Sequence, residues 1–231
     1  MRERPILFSG PMVRAILDGR KTQTRRVVKP QPADCQRLAR DPSSPSGYSL
    51  IADAYDDEML RCPYGIPGDR LWVREEHYRY GHWESVPGVR TKTGRMKWRF
   101  VADSYEVRFD APPVYRKGRH HKDAATPAWH KRLARFMPRW ASRLTLEITD
   151  VRVQRVQDIS GEDAADEGVN VARCGCDVCR MSSVMCPADA SSHILEFASL
   201  WELINAKRGH GWDANPWVWA ITFRRVGEGE A

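Results

Sequence analysis

No apolar run in the 231 residues approaches the roughly 20 consecutive positions that a membrane-spanning helix needs, which argues against helical anchoring, and no membrane partner is expected. The N-terminus lacks the apolar stretch and small-residue cleavage site of a secretory signal, so a cytoplasmic protein is expected. Cysteine is sparse. Six in a chain of this size do not compel a disulfide framework, and in a reducing compartment they stay as thiols or bind metal. A repeated strand–helix–strand alternation is also missing, which disfavours a doubly wound sheet. The chain is nevertheless long enough to bury a sizeable core, and its pattern predicts one elaborated domain over residues 1–231.

What is present is basic. A formal charge of +7, spread through an arginine-rich sequence, biases the chain toward anionic partners, with nucleic acid or a nucleotide the natural candidate. Solubility alone is the competing explanation for that excess.

The most informative stretch lies near the start. Residues 5–9 read as a strand, and Ser9 and Pro11 then suit the start of a helix that Gly19 can end in the left-handed conformation. Immediately beyond come Lys21, Thr22, Thr24, Arg25 and Arg26, a polar cluster at a helix exit leading into a second strand that reaches Val28. In a regular strand residues 21 and 24 face opposite ways, so Lys21 and Thr24 share a site only if the chain turns or bulges after Gly19.

Residues 31–66 are rich in Pro, Ser, Asp and Gly and predict an irregular excursion with room for a short hairpin. A turn at Pro67-Gly68-Asp69 feeds a strand from Arg70 to Glu75. Residues 77–130 form a basic insertion carrying Tyr78, Tyr80, Trp83, Trp98, Tyr105, Tyr115 and Trp129. Such a stretch offers charge for phosphates and rings for bases, or else a satellite core beneath a long loop. From Leu144 the apolar alternation switches parity between Ile148 and Val151, predicting a long central strand with one bulge. Ser160-Gly161-Glu162-Asp163 reads as a capping box opening a second helix that Gly168 ends. Ile194, Phe197, Leu200, Trp201 and Ile204 mark a third helix, and Trp217, Trp219, Ile221 and Phe223 alternate in a closing strand. Few helices and strands joined by long connections point to an α+β mixed barrel.

The run G-x-K-T-x-x-x-R at 19–26 resembles the opening of the ASCH domains, relatives of the PUA-like RNA-binding barrels. P-G-D at 67–69, D-I-S-G-E-D-A-A-D-E-G at 158–168 and N-P-W-V-W-A-I-T-F near the end resemble the remaining landmarks in the expected order. P-Y-G-I-P-G-D-R-L-W-V-R-E and M-P-R-W-A-S-R are similar to long members encoded by phages and prophages. The resemblance implies a PUA-like mixed β-barrel with flanking helices and insertions at approximately 31–66, 77–130 and 170–193.

Within the family the chain is most similar to small bacterial N4-acetylcytidine amidohydrolases. That resemblance implies a catalytic lysine, threonine and glutamate, which fall on Lys21, Thr24 and Glu167, with Asp166 adjacent to the last. Removing an acyl group from an exocyclic amine needs a nucleophile, proton management, oxyanion stabilisation and protonation of the departing nitrogen. Thr24 is expected to attack, with Lys21 and Glu167 dividing the remaining roles. A carboxylate in the last turn of a helix is disfavoured in its charged form unless a cation faces it, and Lys21 can be that cation. Arg26, Arg25 and Glu75 are the candidate substrate-binding residues. The substrate is then a nucleoside or RNA, and the competing reading is an RNA or modified-nucleotide binding module without turnover.

Cys174, Cys176, Cys179 and Cys186 place four thiols in one loop, the ligand count of a closed tetrahedral zinc site. A structural zinc is one expectation, with His193 a substitute ligand, and reduced surface thiols are the other. The proposed chemistry requires no cofactor.

Overall fold

A computed structural model describes residues 1–32, 37–40, 47–51, 59–119, 123–169 and 187–227. The chain is α+β, with eleven strands and few helices among these residues. It divides into two compact units: Met1–Arg4, Pro11–Trp72 and Leu144–Ala231 make up the first, and Pro5–Gly10 with Val73–Arg143 the second. No helix among the described residues is long and apolar enough to cross a membrane.

The principal sheet has the strand order β1 (Glu3–Leu7), β6 (Arg70–Arg74), β10 (Thr145–Arg155), β11 (Trp217–Arg225) and β2 (Gln23–Val27). β1 and β6 each run from one unit into the other along the chain. β11 lies between β10 and β2, antiparallel to both, and Trp217 to Ile221 are buried without interruption as befits a strand covered on both faces. The parity switch in β10 is a bulge. Ile148 pairs with Phe223 and Asp150 with Thr222, leaving Thr149 as the extra residue. The described strands form an open order, whereas the sequence predicts a barrel.

Helix α1 (Gly10–Leu17) buries Val13, Ala15 and Ile16. In α2 (Gly161–Asp166) the Ser160 hydroxyl accepts from the Asp163 N–H, as the capping motif requires. Helix α3 (Pro187–Asn205) packs against α2, and Phe197 and Trp201 join Val156, Ile159, Ala164 and Val218 in one core. The buried line of α3 runs Asp189, His193, Phe197, Trp201 and Asn205, so Ile204, predicted to face inward, is exposed. Polar groups are tolerated along this line because helix carbonyls receive them: His193 Nδ1 meets Asp189 O at 2.8 Å and Asn205 Nδ2 donates to Trp201 O at 3.2 Å. The excursion after Pro30 contains three short antiparallel strands in the order β3 (Arg37–Arg40), β4 (Gly47–Ile51), β5 (Met59–Arg61), one more than a hairpin.

The second unit is built on β7 (His77–Arg90), with β8 (Met96–Arg108) and β9 (Ala128–Arg132) antiparallel on its two sides. Most of its aromatic rings turn inward or against one another. Tyr78 meets Tyr115 edge-on at 4.9 Å, and Trp83 meets Phe100 at 5.6 Å. Arginines of the same unit cover several ring faces: Arg132 over Phe100 at 4.3 Å, Arg119 over Trp98 at 4.3 Å and Arg108 over Trp129 at 4.5 Å. Charge is not evenly spread. The second unit holds 17 Lys and Arg against 7 Asp and Glu, a net +10, so the first carries −3 of the chain's +7.

Candidate active site

The exits of α1 and α2 are brought together by two glycines. Gly19 has φ +75°, and the next two amides, Arg20 N–H and Lys21 N–H, both return to Ala15 O at 2.9 and 3.0 Å. Gly168 has φ +82°, and a Cβ there would lie 2.9 Å from Lys21 Cβ and 3.0 Å from Ala15 Cβ. Lys21 and Glu167 are consequently backbone neighbours in an antiparallel bridge, flanked by a 2.9 Å bond from Thr22 N–H to Asp166 O. Both glycines use the left-handed region, but only Gly168 is also packed. Gly19→Ala should therefore cost about 1 kcal/mol and Gly168→Ala about 2–4 kcal/mol, read from urea midpoints, because the second adds overlap to backbone strain.

Lys21 is the best-buried charge of the site. Its side chain has no exposed surface, and its ammonium donates to Glu167 Oε2 at 2.7 Å, Gln23 O at 2.7 Å and Glu167 O at 2.9 Å. The cation predicted to face the last-turn carboxylate is thus in place. Burial pushes the Lys21 ammonium below its ordinary range; Glu167 opposes the shift, and Arg26 and Arg25 add to it.

Strand alternation then sorts β2. Gln23 and Arg25 share a face: Arg25 Nη1 donates to Gln23 Oε1 at 2.6 Å and to Glu167 Oε1 at 3.3 Å, and its Nη2 to Asp163 Oδ2 at 2.7 Å. Asp163 also receives Gln23 Nε2 at 3.1 Å and Arg152 Nη2 at 3.1 Å. Burial works against charge at Asp163, but Arg25, Gln23 and Arg152 hold its carboxyl below the ordinary range. Arg25, expected as a substrate contact, is instead buried between two carboxylates of its own chain. In the predicted capping box Asp163 would reach back to the Ser160 N–H; here its carboxylate is given to Arg25 and Arg152.

Thr24 lies on the opposite parity of β2, buried and across from Ile221 on β11. No hydrogen bond joins its hydroxyl to Lys21 or Glu167 among the described residues. Arg26 shares that parity. Its guanidinium is depressed by burial, with Tyr64 and Glu167 acting in the other direction. Glu75 falls in the second unit, where Arg143 holds it fork to fork through two contacts of 2.9 Å.

The four cysteines of the zinc expectation lie outside the described residues. His193 is described, and its Nδ1 is engaged by Asp189 O. Among the described residues no three His, Cys, Asp or Glu side chains gather as a metal site. Cys62 is buried and free, with burial raising its thiol to about 11.

Gln23, Asp163 and Arg152 were not singled out from the sequence as site residues. The signal was available for Gln23, which shares strand parity with Lys21 and Arg25, and for Asp163, one helical turn before Glu167. Comparison of the chain with protein-family models, curated proteins and solved structures returned no match.

Proposed function

We propose that the protein is an amidohydrolase of the ASCH group, built on a PUA-like scaffold, that removes an acyl group from N4-acylated cytidine or a related modified nucleoside. The observation that carries this reading is the buried Lys21–Glu167 contact of 2.7 Å at the junction of the two helix exits. A lysine held with a depressed proton affinity against a carboxylate is a ready proton-exchange pair.

In the proposed reaction the Thr24 hydroxyl oxygen bonds to the acyl carbon as its proton passes, through an intervening water, to the Lys21–Glu167 pair. The carbonyl electrons move to oxygen, where Arg26 stabilises the developing charge. The C–N4 bond then breaks, N4 takes a proton from the pair, and the nucleoside leaves. Water hydrolyses the threonyl ester and returns Thr24 to its hydroxyl form.

Purified protein incubated with N4-acetylcytidine should turn over, followed by the ultraviolet change that accompanies loss of the acyl group. Because Lys21 must lose a proton to accept one, and its affinity is lowered, kcat/KM should rise with pH with a midpoint below the ordinary lysine range. Lys21→Ala should lack that limb. Absence of turnover across several acylated cytidines overturns the enzymatic reading in favour of a binding module. One observation favours that second reading: three acceptors already engage the three protons of the Lys21 ammonium.

A further inference from the structure

The second unit presents a feature that the deacylation reading does not use. The segment Arg135-Phe136-Met137-Pro138-Arg139-Trp140-Ala141 folds into two one-turn 3-10 helices, Ala134–Phe136 and Arg139–Ala141. Met137 and Ala141 are buried, whereas Arg135, Phe136, Arg139 and Trp140 are exposed. Each turn therefore anchors one apolar residue and displays one arginine with one ring. Phe136 and Trp140 are each 51% exposed, and Tyr105 on β8 is 86% exposed with its ring 5.6 Å from that of Trp140.

Tyr105 and Trp140, left in water side by side with exposed Phe136 four residues along the same segment, call for an occupant, since ordinary surfaces scatter such rings singly. Guanidinium groups stand beside these rings: Arg79 lies over Trp140 at 5.1 Å, and Arg135 and Arg132 each lie 5.0 Å from the Phe136 centroid. The segment is held rigidly. Phe136, Met137, Ala141 and Ser142 N–H groups all close turns at 2.9–3.2 Å, the Ser142 hydroxyl donates to Val73 O at 2.8 Å, and Arg74 donates to the Arg135 carbonyl. A platform already ordered loses little entropy on binding.

The net +10 of this unit selects a polyanion, and the rings select one whose flat faces are free. A duplex hides its base faces in its own stack, and an acidic peptide offers no rings to stack. We propose that Tyr105, Phe136 and Trp140, with Arg79, Arg135 and Arg139, form a stacking platform for a single-stranded polynucleotide. Bases lie on the rings and phosphates meet the guanidinium groups. This platform stands on the second unit alone and does not rest on the deacylation reading.

Fluorescence anisotropy of labelled single-stranded RNA and DNA of roughly 10 nucleotides tests it without any turnover, so failure of binding and failure of deacylation are read separately. Binding of either single strand, more tightly than a duplex of the same length, is expected. The RNA-to-DNA ratio reports whether a 2′-hydroxyl is read. Trp140→Ala and Phe136→Ala should each weaken binding about tenfold, and Trp140→Phe should keep most of it. Arg135→Ala should lower the slope of log affinity against log salt by about 0.7. Lys92→Ala with Lys97→Ala, exposed charges elsewhere in the unit, should change affinity less than loss of either ring. No single-strand binding at low salt, equal binding of duplex, indifference to both ring removals, or displacement by polyglutamate at equal charge each overturns the proposal.

Discussion

Thr24→Ala should lose acyl release by roughly a thousandfold or more, because the hydroxyl is the proposed nucleophile and no neighbour replaces a missing oxygen. Its stability should fall by only about 1 kcal/mol, as expected for a small truncation in a packed strand. The structure makes the experiment sharp: Thr24 occupies the opposite strand parity from Gln23 and Arg25, and among the described residues no hydrogen bond joins it to Lys21 or Glu167. Full deacylation in the Thr24→Ala protein, measured on N4-acetylcytidine, would instead assign attack to a water activated by Glu167. Glu167→Gln then separates charge from shape, since the amide cannot carry a proton to the leaving nitrogen.

Lys21→Met should be among the most destabilising single substitutions in the first unit, by about 3–5 kcal/mol in urea unfolding. Removing the ammonium takes the 2.7 Å partner from the Glu167 carboxylate, whose side chain is 4% exposed, and leaves Arg25 at 3.3 Å as its ion-pair partner among the described residues. The double change Lys21→Met with Glu167→Leu should recover a large part of that loss, because a buried ion pair replaced whole by apolar groups is often neutral. A double variant no more stable than Lys21→Met alone would show that the lysine acts chiefly through its bonds to the Gln23 and Glu167 carbonyls. Far-UV circular dichroism and the unfolding midpoint read these outcomes independently of catalysis.

Much of the first unit was legible because its signals are local. The glycine after α1, the serine before α2, the parity change around Ile148 and the strand from Trp217 each lie where expected, although that strand is buried without the alternation its sequence suggests. Lys21 meeting Glu167 was also accessible, since a cation opposite a helix-end carboxylate is an electrostatic requirement. What escaped was any role set by long-range partnership. The strand that places Arg25 also gives it two carboxylates from α2, and nothing in an arginine's neighbours in sequence distinguishes a buried arginine from a solvated one. Ile204 was misplaced for a related reason: α3 buries a strict four-residue line that includes Asp189, His193 and Asn205, so hydropathy pointed to the wrong side. The aromatic insertion resolved in both directions at once, most rings packing internally while Tyr105 stays exposed.

The pairing of β6 with β10 has a kinetic meaning. Trp72 lies opposite Thr145 and Leu71 opposite Leu146, so two adjacent strands are joined through the whole of Val73–Arg143. As an unfolded loop, that span would make the ladder a long-range closure whose entropy cost grows with the logarithm of its length. Once the span has collapsed into its own sheet, its two ends leave as neighbours and the closure becomes a short one. The nascent chain also emerges in that order, with the whole span synthesised before β10 and β11 exist. Early structure in the hairpin of β7 and β8 should therefore speed the closure of β6 on β10, and the Lys21–Glu167 junction forms only once α2 has emerged.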